Sequence, residues 1–218
     1  MKKAVAGLDP IAVTELLRSG VLAVRPAEIG LTPAECPKVW GLLLELGYPE
    51  VVVSLVALAD GSVSIYSTEG NGVIGCGLHP EVRAAACKAL NIAQNMAHCG
   101  KPTTDFPLPT NDQVYFYLLT PQGVCAAHAG RVELEEGQIE LAELYYAAMG
   151  LIDIVELLGA GVDIIDEMRL AECKLTQEGA GSDMSGAVNL RAANDPRARG
   201  RACRILPYAG SAARRSHN

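Results

Sequence analysis

The stretch from residue 51 to residue 100 constrains this chain most. It reads VVVSLVAL, a turn at Asp60-Gly61, SVSIYSTEGNGVIGCG, and then a helical segment that opens at His79-Pro80. β-Branched residues bounded by turn formers predict a central strand over 51–58. Asp-Gly is the strongest short hairpin signal, because both central residues of a type I′ turn take positive φ. Residues 62–68, with Val63 and Ile65 alternating against serines, are therefore expected to pair back antiparallel. Val82, Ala85, Ala86, Ala89, Leu90, Ala93 and Met96 make a stripe that predicts a helix over 80–99, closed by Gly100. Its small side chains let it lie close to a sheet or to another helix.

The flanks extend this pattern. Asp9-Pro10 reads as an N-cap and first helical position, with a short helix running to Gly20. Residues 21–31 read as an irregular connection. After Thr32-Pro33, the segment AECPKVWGLLLELG places Val39, Leu42, Leu43 and Leu46 on one helical stripe, so a second helix is expected over 33–46 despite Pro37 and Gly41. Three prolines make 101–112 a loop. VYFYLLT over 114–120 is a strand, Pro121-Gln122-Gly123 is a turn, and 124–134 returns as a strand broken near Ala129-Gly130. Leu141, Leu144, Tyr145, Ala148, Ile152, Val155 and Leu158 place a helix over 139–158. A short helix is expected over 162–175. Beyond it lies a Gly-, Ala-, Ser- and Arg-rich tail without periodicity, read as disordered or loosely attached apart from a docking segment, ILPY, at 205–208. The chain thus divides into 1–32 (N-terminal helix and connection), 33–158 (an α+β domain) and 159–218 (an acidic helix and a basic tail).

Composition bounds the function. The 218 residues are 50% hydrophobic and 20% charged, the profile of a soluble globular protein. A net charge of −7 argues against nucleic acid as a partner of the whole molecule. Residues 176–218 hold seven arginines against three acids, a net of +4, which leaves −11 on residues 1–175. The acidic residues Asp153, Glu156, Asp163, Asp166, Glu167 and Glu172 read as a solvated face, or as a surface for a basic partner or for the tail. The arginines of the tail lack the interleaved aromatic residues of an RNA binder. Seven cysteines at irregular spacing, with no C-x-x-C, suit reduced thiols in a cytoplasm better than a disulfide framework. No apolar run approaches the length of a membrane span, and the run after Lys3 is too short for a signal sequence, so a cytoplasmic setting is expected.

Four constellations could carry chemistry. Gly70-Asn71-Gly72-Val73-Ile74-Gly75 has the G-x-G-x-x-G form of a dinucleotide fingerprint. The strand before it, however, is a hairpin arm, the helix begins five residues after the third glycine, and nothing acidic stands between Glu81 and Asp105. Gly61, Gly70, Gly72, Gly75 and Gly77 are accordingly read as backbone-turn glycines. Two C-x-x-H pairs, Cys76/His79 and Cys125/His128, together with His98 beside Cys99, offer zinc-type ligands. Residues three apart on a strand face opposite ways, so Cys125 and His128 converge only across a bend. The same residues could supply a Cys-His-Asp hydrolase, but no nucleophile elbow or protease context marks one cysteine out. No catalytic residue, metal or cofactor is assigned.

The order helix, hairpin, helix, further hairpin, helix resembles the roadblock family of dynein light chains and their bacterial relatives, within the profilin-like and longin-like set. The resemblance covers about residues 33–158. It rests on the 51–68 hairpin, the 70–77 loop leading into the 80–99 helix, the VYFYLLTPQGV hairpin and the closing helix. It implies a central antiparallel sheet of four to five strands, the fifth lying within 129–134. The 80–99 helix would cover one face and the 33–46 and 139–158 helices the other. It further implies a homodimer built by pairing the central helix and the third strand across a two-fold axis, which places Ala85, Ala86, Ala89 and Ala93, with the strand edge carrying Val114, Tyr115, Tyr117 and Leu119, at the interface. Relatives act as scaffolds or regulators of small Ras-like GTPases and contribute surfaces without catalysis. The expected function is therefore a cytoplasmic, non-catalytic, homodimeric regulatory or scaffolding module with a small GTPase partner. The alternative is a small-ligand sensor or enzyme using the loop from Gly70 to His79, with a nucleotide or with zinc held through cysteine and histidine.

Overall fold

A computed structural model describes residues 9–158 and the pair 162–163. Asp9 opens helix α1 (Pro10–Ala23): its carboxylate accepts the N–H of Ile11 at 3.1 Å, and proline sits where no N–H is needed. The helix passes Gly20 and ends three residues later than expected. A 3-10 turn at Pro26–Ile29 and an irregular stretch lead to strand β1 (Gly41–Gly47), every residue of which is buried. β2 (Val52–Leu58), β3 (Val63–Ser67) and the short β4 (Gly72–Ile74) follow as a meander. Helix α2 (Pro80–Asn95) carries the chain to a two-residue β5 (Lys101–Pro102) and then to the hairpin β6 (Gln113–Thr120) and β7 (Gly123–Gly130). Helices α3 (Arg131–Glu135) and α4 (Leu141–Leu158) complete the body, and β8 (Val162–Asp163) adds a final pair.

One antiparallel sheet gathers all the strands of the described residues in the order β5-β7-β6-β1-β2-β3-β4-β8. The mixed α+β class with an antiparallel sheet agrees with expectation. Five strands are long, but the fifth is β1, not a segment of 129–134, where Arg131–Glu135 is helical. The expected 33–46 helix is thus corrected to irregular chain followed by the central strand of the sheet. LLLEL satisfies both periodicities, and a seven-residue segment that begins and ends with glycine has the length of a buried strand.

Alternation divides the core into two layers. Leu42, Leu44, Leu55, Val63, Phe116 and Leu118 face α2 and α4, which pack along each other on the same side of the sheet. Leu43, Val56, Leu58, Tyr66, Tyr117 and Leu119 face α1, Trp40 and Phe106 on the other side. The expected placement of the 80–99 and 139–158 helices on opposite faces is therefore corrected. With 41–47 in the sheet, the layer opposite α2 is left to α1 and the irregular N-terminal chain.

Cys36, Cys76, Cys99 and Cys125 are free thiols, whereas Cys87 is disulfide-bonded, a departure from the all-thiol expectation. Among the described residues no helix is long and apolar enough to cross a membrane. The expectations placed on 159–161 and 164–218, including the late helix, the basic tail and its docking segment, lie outside the described residues.

Candidate functional site

The glycine-rich corner is filled by the chain itself. The Asp60-Gly61 turn is a three-residue loop in which Gly61 donates to the Leu58 carbonyl and Leu58 to that of Ser62. Only Gly61 takes positive φ, so the expected type I′ turn is corrected to a type I turn closed by a glycine bulge. Gly70 repeats this arrangement between β3 and β4, with Gly70 donating to Ser67 and Ser67 to Asn71. Gly72 lies where a Cβ would be 2.3 Å from the Ile65 carbonyl oxygen, and Gly77 where it would be 1.7 Å from that of Gly61. Gly75 is left-handed at φ 72° with open space around it. All five glycines shape turns or close contacts.

Cys76, at the base of this corner, is fully buried, and burial pushes its thiol up to about 11. That is the environment of an inert structural cysteine. On β7, Cys125 stands opposite Leu118 on the helical face, while His128 stands opposite Tyr115 on the other face. The two C-x-x-H pairs therefore do not meet. Among the described residues one group of metal-type ligands does converge, and it joins His98 and Cys99 to Glu140, a residue the sequence did not single out.

His98 and Cys99 lie in a 3-10 turn (Met96–Cys99) that continues α2, and Glu140 immediately precedes α4. Because α2 and α4 pack together, the end of one meets the start of the other. His98 Nε2 is 2.9 Å from Glu140 Oε2, and Cys99 Sγ is 3.5 Å from that oxygen and 3.6 Å from Nε2. The other ring nitrogen, Nδ1, lies 2.9 Å from the Asn95 carbonyl oxygen at the end of α2. Glu140, and behind it the Asn95 carbonyl, raise the His98 imidazole above its ordinary value. Burial and then Glu140 raise the Cys99 thiol, while His98 and then Cys99 hold Glu140 below the usual carboxylate range. A thiol held protonated is a poor nucleophile. A relay needs the carboxylate on the imidazole nitrogen remote from the nucleophile, whereas here Cys99 and Glu140 approach the same one. The trio is arranged around one point, as ligands are.

A second polar group lies inside the sheet's other face. Pairing aligns Tyr115, Glu45, Ser54 and Tyr66 in one row across β6, β1, β2 and β3. The Glu45 side chain is 0% exposed and is held by Arg18 of α1 through two bonds, Nε to Oε1 at 2.7 Å and Nη2 to Oε2 at 2.9 Å. Ser54 Oγ donates to Oε1 at 3.2 Å. Arg18 also donates to the carbonyls of Phe106 and Pro107, and Tyr117 Oη donates to Pro107 at 2.7 Å. Burial opposes the charge on Arg18, but Glu45 outweighs it and raises the guanidinium. Burial pushes Tyr117 up to about 12, and Glu45 adds to the shift. Every charged member is paired, so this network binds α1 and the 103–110 loop to the sheet.

The residues expected at a dimer interface sit differently from expectation. Ala86, Ala89 and Ala93 are buried within the chain on the helical side, and Ala85 is half-buried. β6 is no edge: β1 pairs along one side and β7 along the other. Val114, Tyr117 and Leu119 are buried in the two core layers, and Tyr115 is half-buried against the His128 ring, 5.3 Å away. Comparison with protein-family models, with curated proteins and with solved structures yields no match to this chain.

Proposed function

We propose that the protein is a non-catalytic interaction module that pairs with a second copy of itself through the outward stripe of α4 and serves as a regulatory or scaffolding surface. The observation that supports this most is Gly150. It lies inside α4, where glycine costs about 1 kcal/mol relative to alanine. Nothing among the described residues accounts for it, because a Cβ there would meet none of their atoms within 4 Å. Glycine in a helix that its own fold does not require admits another backbone at close range.

The neighbours fit that reading. Tyr146 is 52% exposed one turn before Gly150, and Leu157 is 86% exposed two turns after it. Half-buried Met149 and Ile154 lie between them. Large apolar side chains flanking a notch are what a partner helix covers. The interface is thereby moved from the alanines of α2 and from β6, which the chain itself occupies, to the exposed side of the helical layer. A small Ras-like GTPase, the partner class implied by the roadblock resemblance, and a cytoplasmic setting belong to the same proposal.

Size-exclusion chromatography with light scattering tests the pairing. The full chain is expected to run as a dimer at micromolar concentration, and Gly150→Leu and Leu157→Glu each as a monomer with an unchanged far-ultraviolet spectrum. A monomeric wild type, or variants that stay dimeric, would sink the α4 interface. Gly150→Ala separates propensity from packing: in the monomeric Leu157→Glu background it should stabilise by about 0.5–1 kcal/mol in urea unfolding.

A further inference from the structure

We propose that His98, Cys99 and Glu140 form a binding site for one divalent ion of the zinc class, with the fourth coordination position left to solvent. The proposal goes beyond the interaction reading and does not depend on it.

Three independent features support it. The donor set is sulfur, nitrogen and oxygen, the mixture that suits a borderline-soft ion such as zinc. The triangle has the right size. Bonds of about 2.3 Å to sulfur and about 2.0–2.1 Å to nitrogen and oxygen, at tetrahedral angles, separate the ligand atoms by about 3.6 Å for S···N, about 3.5 Å for S···O and about 3.3 Å for N···O. The observed separations are 3.6, 3.5 and 2.9 Å. Two edges agree, and the third is short because the imidazole and the carboxylate now hydrogen-bond directly. Both side chains are well exposed, 59% and 69%, and have room to open by a few tenths of an ångström.

The third feature is the orientation of the imidazole. Metal-bound histidines donate the remote ring N–H to a carbonyl or carboxylate, which fixes the tautomer and turns the other nitrogen to the ion. His98 Nδ1 already has such a partner in the Asn95 carbonyl at 2.9 Å, and Nε2 faces Cys99 and Glu140. The helix end that supplies the carbonyl also sets the position of Cys99, so two ligands are pre-placed and Glu140 closes the set from the start of α4. Lys38, near enough to oppose positive charge at His98, works against a cation. The thiolate and carboxylate together outweigh it once the thiol proton has gone to solvent.

Cobalt(II) is the probe, added to the full chain after treatment with chelator. The expected result is one equivalent bound, with a thiolate-to-cobalt charge-transfer band and the strong visible bands of tetrahedral cobalt, both bleached by zinc. Cys99→Ser should abolish the charge-transfer band. His98→Ala and Glu140→Gln should each weaken cobalt binding by about tenfold or more. Zinc should raise the melting temperature of the wild type but not of Cys99→Ser. His98 and Glu140 are exposed and Cys99 is half-buried, so unchanged circular dichroism checks that the variants fold. A wild type without the band in excess cobalt overturns the proposal. So does a band that persists in Cys99→Ser, or full affinity in both His98→Ala and Glu140→Gln.

Discussion

Arg18→Ala is expected to lower the stability of the fold by about 3 kcal/mol, the lower end of the range for breaking a buried ion pair. The reason lies in what it leaves behind more than in what it removes. Glu45 has no exposed side-chain surface and would stay in the middle of β1 with a single neutral donor, Ser54 Oγ. Arg18 keeps 18% exposure of its side chain, which is why the lower figure applies. Two carbonyls, those of Phe106 and Pro107, lose their guanidinium donor in the same step. Urea unfolding should show a lower midpoint with little change in slope.

The companion experiment replaces both charges. Arg18→Met with Glu45→Leu removes the stranded carboxylate and is expected to recover about half of the loss, because replacing a whole buried pair is far cheaper than breaking it. Recovery stays incomplete: Ser54 and the Phe106 carbonyl lose the partners they had, and the Pro107 carbonyl keeps only Tyr117 Oη. If Arg18→Ala costs under about 1 kcal/mol, the pair behaves as an exposed surface bridge and the buried-anchor account fails.

That pair also marks where reading the sequence reached its limit. The hairpin of β2 and β3 and the helices α2 and α4 are legible because their periodicity is unambiguous, with Gly61 marking the turn of the hairpin and Gly100 the close of the segment that begins as α2. β1 is not, since leucines at 42, 43, 44 and 46 satisfy both the helical and the alternating period. Pro37 and Gly41 are the contrary signals, and the short span between Gly41 and Gly47 favours a strand. Once GLLLELG is taken as a helix, Glu45 becomes an ordinary solvent-facing acid. Its partner stands 27 residues away with nothing local to announce it. The same error hid Glu140. Its meeting with Cys99, 41 positions earlier, requires α2 and α4 to share a face, and that follows only when β1 takes the centre of the sheet.

Gly77→Ala carries the second large effect, and Gly75→Ala is its control. At Gly77 a methyl group would stand 1.7 Å from the Gly61 carbonyl oxygen and 2.9 Å from its carbon, both backbone atoms of the β2–β3 turn. Flexible side chains can step aside, but a turn pinned by Gly61 to Leu58 and Leu58 to Ser62 cannot move without breaking its own bonds. The expected cost is about 3 kcal/mol, at the upper end for forcing atoms into a packed site. Two residues earlier, Gly75 has left-handed φ and nothing within 4 Å, so alanine there meets only conformational strain, about 1–2 kcal/mol. The comparison separates two accounts of the glycine-rich corner from Gly70 to Gly77. If its glycines exist to let a ligand's phosphates approach, Gly77→Ala should cost no more stability than the backbone strain of Gly75→Ala, and both should act on binding. If they exist to seat the 76–78 turn on the hairpin, the cost should fall on stability and fall mainly at Gly77. Equal midpoints for the two variants would sink the second account; a large loss at Gly77 with a small one at Gly75 would make the corner a packing joint between sheet and helix.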